Sequence, residues 1–281
     1  MATALGGQAR ATAPDEPDSS SLTVTSEEAA LMESLRDASI GERVRAHSES
    51  WLGLPYLDGG FGEGGGVDPD PMIRRDAFDC LTLVEEVLAL SLATDPAGVH
   101  AIRMGLRYRN GGPATYENRR HFMLAEWIPG TIEEGWMEEI TSNYEGAERM
   151  HWEVSSDTWA GWSKRHLFPL ADTRLPVGAE EFWYLPIDAA LAAVNDIPPG
   201  TVVFTLRQPF AHLPIAITHV GIVVDTGQPT LRHATKIGDD MVKDHPLEWY
   251  IDHLRTYVNW PAAGVILLAP REIGPRRLRF E

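Results

Sequence analysis

The stretch Cys80-Leu-Thr-Leu-Val-Glu-Glu-Val-Leu-Ala-Leu90 constrains the fold more than any other part of the chain. On a helix of about 3.6 residues per turn, Leu81, Val84 and Leu88 form one apolar stripe and Leu83, Val87 and Leu90 a second. Only Thr82, Glu85 and Glu86 are left for a narrow polar face. A helix so nearly apolar all round has to be covered on most sides, so the rest of the chain must supply layers around it. With 281 residues, 43% of them hydrophobic, the chain has the material for a sizeable core.

The same helix begins on the only cysteine, Cys80. Free N–H groups and the positive end of the dipole at a helix start favour a thiolate. The competing reading is a small buried hydrophobe. A lone cysteine allows no intrachain disulfide, so cysteine usage leaves the redox compartment open. A thiol nucleophile needs a base, and the base an orienting partner. Of the ten histidines, two stand out by context: His219 opens Thr218-His-Val-Gly-Ile-Val-Val224, and His233 sits inside Leu231-Arg-His-Ala-Thr235. A turn over Asp225 to Pro229 would pair these runs as a hairpin and bring both imidazoles to one face, with cross-strand Cβ separations of about 5 Å. Either histidine alone also reads as a satisfied structural residue. Cys80 with both of them is a far more specific pattern.

Around this core the order is helices first, strands later. Helices are expected over Thr25–Arg36, capped by Ser26, and over Ile40–Leu52. A turn-rich segment follows at 53–60, and a glycine loop at 62–71. Strands are expected at Thr201–Leu206, His219–Asp225, Thr230–Thr235 and Ala263–Leu268. That succession predicts an α+β fold with an antiparallel sheet or partly open barrel. Residues 1–25 are polar and lack a signal-peptide pattern, and they read as a flexible tail. Residues 26–281 read as one catalytic domain with a Trp-rich insertion at about 95–195, which holds six of the nine tryptophans.

A net charge of −17 argues against nucleic acid and against an anionic membrane surface. No run of 18 apolar residues exists, so no transmembrane segment is expected. Within this acidic chain Arg103, Arg107, Arg109, Arg119 and Arg120 form a local basic island. It reads either as a clamp for substrate carboxylates or as partners for nearby acids. His121 adjoins it and is a candidate for the cleft. Asp58, Glu63, Asp68 and Asp70 lack the EF-hand spacing and read as a solvated loop rather than a calcium site. A zinc site drawn from His121, His212, His219 and His233 has no supporting motif.

Gly53-x-Pro-Tyr-x-x-Gly-Gly60, Phe78-Asp-Cys-Leu-Thr-Leu-Val-Glu85, His219-Val-Gly-Ile and His233-Ala resemble, in order and spacing, the NlpC/P60 cell-wall peptidases. The chain is more closely similar to their N-acetylmuramoyl-L-alanine amidase-like relatives, the DUF1460 family. Arg107-Tyr-Arg109, Arg120-His121 before Trp127-Ile128, Tyr184-Leu-Pro186 and Thr218-His-Val-Gly221 add to the match, which spans about 40–268. The resemblance implies a papain-like α+β fold and a peptidoglycan or muropeptide substrate. It implies Cys80 as nucleophile, His219 as general base and His233 as third member. Tyr56, Asp79, Arg107, Arg109, Arg120, His121 and Thr218 become the expected substrate-binding residues. It implies no cofactor, and a location in the cell envelope, periplasmic or secreted. The bond cut is expected to be the muramoyl–L-alanine amide, with a stem-peptide endopeptidase or a silent wall-binding module as alternatives. The expected pKa of Cys80, beside an imidazolium at a helix start, is in the range of roughly 3.5–7.5.

Overall fold

The computed structural model describes residues 24–210 and 212–272. The expected flexible tail lies outside the described residues except for Val24 and Thr25. Helix α1 runs over Ser26–Ser34, and its N-cap is Thr25 rather than Ser26. The Thr25 hydroxyl accepts from the Glu28 N–H at 3.1 Å, and the Glu28 carboxylate accepts from the Thr25 N–H at 2.8 Å, a capping box. Helix α2, Ile40–Glu49, is boxed the same way by Ser39 and Glu42. It stops short of the expected end because the chain turns toward Gly53, which sits at φ 83°.

Helix α3, Cys80–Leu92, begins at its N-cap Asp79. From Thr82 to Leu92 every residue is buried, so the helix is covered as its composition demands. Its polar face is covered too, which the sequence reading did not anticipate: Glu85 and Glu86 are only 2% and 3% exposed. Helix α4, Gly98–Arg107, lies alongside and supplies the countercharge. Arg103 grips Glu86 with a two-pronged contact at 2.7 and 2.9 Å. Arg107 reaches Glu85 at 2.8 Å and Glu86 at 3.1 Å.

The middle of the chain contributes α5 (Ile128–Glu133), β1 (Met137–Glu139), β2 (Glu148–Val154), α6 (Ser156–Gly161), β3 (Gly178–Pro186) and α7 (Ile187–Ala193). Then come β4 (Val202–Arg207), β5 (Ile217–Asp225), β6 (Pro229–Thr235), β7 (Met241–Pro246), α8 (Leu247–His253) and β8 (Ala262–Pro270). Every named strand pair is antiparallel, in the order β2-β3-β8-β4-β5-β6-β7, with β1 also on β8. The fold is α+β, as expected.

The sheet is covered on both faces. Val202, Phe204, Val220, Ile222 and Val224 join the core around α3. Val203, Val223, Leu231, Val265 and Leu267 pack with Leu247, Tyr250 and Ile251 of α8. Double cover explains why β4 is buried at all six positions instead of alternating. The strands at 201–206, 219–225, 230–235 and 263–268 are found within two residues or so of their expected bounds. Strands β1, β2, β3 and β7 were not expected. Among the described residues no helix is long and apolar enough to cross a membrane.

Candidate active site

Asp79 sets the position of Cys80. Its carboxylate accepts from the Thr82 N–H and hydroxyl, both at 2.8 Å, while the Thr82 hydroxyl accepts from the Asp79 N–H at 3.0 Å. This box fixes the helix start and puts Cys80 at its first position. Asp79 is spent on that cap, and it does not line the cleft as a substrate contact. Cys80 as a residue is half-buried, with its thiol enclosed by surrounding atoms. The backbone of Val220 and of Leu81 acts on the thiol to favour its charged form. Val220 directly follows His219, so thiol and imidazole belong to adjoining positions across the α3–β5 contact.

The thiol departs from the expected acidity. Burial first, and the Asp79 charge second, push it up to about 12, against which the two backbone groups pull only weakly. Burial likewise lowers His219 to about 4. The resting pair is therefore a neutral thiol and a neutral imidazole. The dipole at the helix start does not overcome the cost of desolvating a thiolate next to an N-cap carboxylate.

His219 and His233 do meet on one face. His219 Nε2 lies 2.8 Å from His233 Nδ1, and His233 is 0% exposed. Gly221 makes room for this. In the β5–β6 register His233 stands beside Gly221, and a Cβ there would come within 3.0 Å of the His233 Cβ. Tyr250 of α8 walls the pair, its ring 6.0 Å from that of His219 and 5.3 Å from that of His233. Its hydroxyl is 2.6 Å from the Thr205 hydroxyl, and Thr205 is the Cα partner of His219 on β4.

A third imidazole, absent from the sequence reading, continues the series. His233 Nε2 lies 2.8 Å from His245 Nδ1, and Trp249 stacks on His245 at 4.5 Å. Running the protons in one direction, His219 Nε2–H donates to His233 and His233 Nε2–H donates to His245. That leaves the Nδ1 lone pair of His219 free to act as a base. His245 lies on the unexpected strand β7, and its only sequence signal is the short alternating run Met241-Val-Lys-Asp-His.

The cleft beside this cluster has a volume of 1320 Å³. Tyr56, His121, Thr218 and His219 all line it. The Tyr56 hydroxyl is held protonated by burial, and the Lys236 ammonium sits 4.7 Å over its ring. His121 bonds the Tyr116 carbonyl through Nε2 at 2.6 Å, and burial lowers it to about 4. Trp152 and Trp162 from the Trp-rich segment form part of the opposite wall. Leu167, Val177, Val258 and Trp260, four of the large hydrophobics left exposed, stand on the same cleft.

The arginine island is not in the cleft, which corrects the expected clamp. Arg107 is 3% exposed and held by Glu85, Glu86 and the Met72 carbonyl. Arg120 is 2% exposed and held by Glu134 and the Gly105 and Leu106 carbonyls. Arg109 donates to the Glu117 carbonyl at 2.5 Å. Arg119 binds Glu63 at 2.6 Å and Asp68 at 2.9 Å, which engages two acids of the glycine loop. Arg107, Arg119 and Arg120 pair with carboxylates of their own fold, and Arg109 with a backbone carbonyl. Among the described residues no group of three or more His, Cys, Asp or Glu side chains is placed to hold a metal ion.

A helix that starts on a cysteine, packed on an antiparallel sheet that carries the two histidines, defines a papain-like fold. Residues 46–257 match the N-acetylmuramoyl-L-alanine amidase-like (AmiA-like) family, and the chain belongs to that family. Among solved structures, a Legionella pneumophila protein of the DUF1460 family aligns with a TM-score of 0.74 at 23% identity, over 87% of this chain and 93% of its own. A Bacteroides uniformis N-acetylmuramoyl-L-alanine amidase aligns with a TM-score of 0.64 at 22% identity, over 83% of this chain and 99% of its own. At these identities the likeness is one of fold. No curated protein sequence matches.

Proposed function

We propose that this protein is a cysteine hydrolase of the cell envelope that cleaves the amide between the muramic lactyl carbonyl and L-alanine in peptidoglycan fragments. The observation that carries the reading is the hydrogen-bonded His219–His233 pair, on a sheet whose strand β5 packs against the helix that starts on Cys80. Family membership supports the substrate class.

In this reading the reaction starts from the neutral pair. As the thiol sulfur attacks the amide carbonyl, its proton passes to Nδ1 of His219, so no free thiolate has to persist in the buried site. The charge that forms on His219 is met by His233 through Nε2. The Cys80 backbone N–H, at the first position of α3 and without a helical partner, is the nearest donor for the developing oxyanion. His219 then gives its proton to the leaving amine of L-alanine, accepts one from water, and directs the hydroxide at the thioester. Apolar walls from Trp152 and Trp162 suit the faces of an amino sugar.

The test is product mass analysis with an intact sugar-peptide. A free stem peptide with L-alanine at its N-terminus is the expected product. A sugar still carrying L-Ala-D-Glu as the sole product would convert the reading to an endopeptidase. Cys80→Ala should fold normally, alanine being a good helix former, and lose activity by up to about a millionfold. A variant retaining a tenth of wild-type activity would rule out the thiol as nucleophile.

A further inference from the structure

Five arginines are buried among the described residues: Arg103, Arg107, Arg120, Arg207 and Arg232. Four of them have carboxylate partners. Arg103 and Arg107 pair with Glu86 and Glu85, Arg120 with Glu134, and Arg232 with Asp244 and Glu49. Arg207 is the exception. It is 5% exposed, yet its contacts are the Ile215 carbonyl at 3.3 Å from Nη1 and the Trp260 ring 4.2 Å from Cζ. Its Nε is buried with no hydrogen-bond partner. A guanidinium in a low-dielectric wall stays charged, and leaving it without an anion is costly.

The fold aims this side chain at the cleft. Strand β4 shifts register against β5 between Thr205 and Leu206, and against β8 between Leu206 and Arg207. Such irregularities redirect a side chain from its regular place in the pleat. Arg207 lines the cleft together with Trp260, His212 and Thr218. It stands two residues along β4 from Thr205, the partner of His219, which is about 7 Å of strand. A ligand whose amide lies at His219 has a group within reach of the guanidinium only a residue or so from that amide. The Trp260 ring holds the guanidinium plane from one side, and Nη2, which makes no hydrogen bond among the described residues, is left for a ligand.

We propose that Arg207 is the anchor for a carboxylate of the bound stem peptide, received on its Nη2 group. The nearest such group to the muramoyl–L-alanine amide is the α-carboxylate of D-glutamate, one residue further along the stem. The inference deepens the amidase reading and rests on it for the identity of the ligand. It also assigns to Arg207 the clamp that sequence pattern alone suggested for Arg107 and Arg109.

The test compares N-acetylmuramoyl-L-alanyl-D-glutamate with the same compound bearing an α-carboxamide. Binding is read by calorimetry on full-length Cys80→Ala protein, and turnover on the protein with Cys80 intact. The acid should bind about 10- to 100-fold more tightly than the amide, the scale of a charge-assisted pair. In Arg207→Gln the ratio should fall close to 1. In Arg207→Lys, which keeps the charge without the fork, it should take an intermediate value. Melting curves identify any variant that loses binding by unfolding. Equal binding of the two ligands, a ratio unchanged in Arg207→Gln, or no measurable binding of either overturns the anchor. Tight, Arg207-dependent binding of the acid without hydrolysis would overturn the amidase reading and leave the anchor standing.

Discussion

The ring of His245 touches that of His233 at 2.8 Å, Nδ1 against Nε2, so His219, the base of the proposed reaction, has two imidazoles behind it rather than one. Each ring fixes the tautomer of the next, and the series ends at a ring stacked on the half-exposed Trp249. His245→Ala should lower kcat/KM on a muropeptide by about 10-fold, at the lower end of what an outer hydrogen-bond partner contributes. His245→Asn should recover part of that, because an amide oxygen can accept in place of Nδ1. Wild-type turnover in His245→Ala would mean that the chain effectively ends at His233.

His233 needs one acceptor for His219 and one donor for His245, and a side-chain amide has both. His233→Asn or His233→Gln should therefore keep more activity than His233→Ala, for which a loss of about 100-fold or more is expected. Equal kcat values for all three variants would reduce His233 to packing on β6.

Acidification acts through buried neutral imidazoles. His47, His121 and His219 are each lowered by burial to about 4, against an ordinary value of about 6.5. Between these limits the unfolded chain binds protons that the folded chain refuses, so stability rises with pH across the window. The contribution is present above pH 6.5 and is lost as pH falls toward 4. The melting temperature should drop along that interval. His47→Gln, replacing a ring whose Nδ1 is buried and unpartnered, should make the drop shallower. A melting temperature flat from pH 7 to pH 4 would refute the assignment.

The arginines packed on α3 are expected to matter for folding. Arg107→Ala strips the countercharge from Glu85 and from part of Glu86, and removing one member of a buried pair costs about 3–5 kcal/mol. Urea denaturation should register that loss. Arg109→Ala, whose contact is to a carbonyl near the surface, should change stability by less than about 1 kcal/mol. A stable Arg107→Ala protein with weakened substrate binding would restore the clamp.

Where sequence and structure agree, the reason is burial. Strands β4, β5 and β8 are rich in Val, Ile and Leu because both faces of the sheet are covered, and such runs are readable as they stand. Strand β7 alternates Val242 with Lys243 and His245, and β3 carries the exposed Glu180 and Glu181, so their patterns resemble loops. The meeting of His219 and His233 on one face was legible from their spacing on a hairpin. Arg207 was not, since a lone arginine in a strand differs from any other until the absence of a nearby acid is seen in three dimensions. The clamp failed for the converse reason. Arg103 and Arg107 look like a basic cluster in the chain, but the acids they neutralise lie 17 to 22 residues earlier, on α3.

The burial that makes the Cys80 thiol a weaker acid has a consequence for chemical survival. Peroxides and disulfides react with the thiolate, and burial that pushes the thiol up to about 12 keeps that form scarce at neutral pH. A resting molecule therefore resists conversion to sulfenic acid and capture as a mixed disulfide. With no second cysteine in the chain, nothing within the protein could resolve such an adduct once formed. Burial that delays nucleophilicity until an amide is in place thus also preserves the sulfur in an oxidising environment.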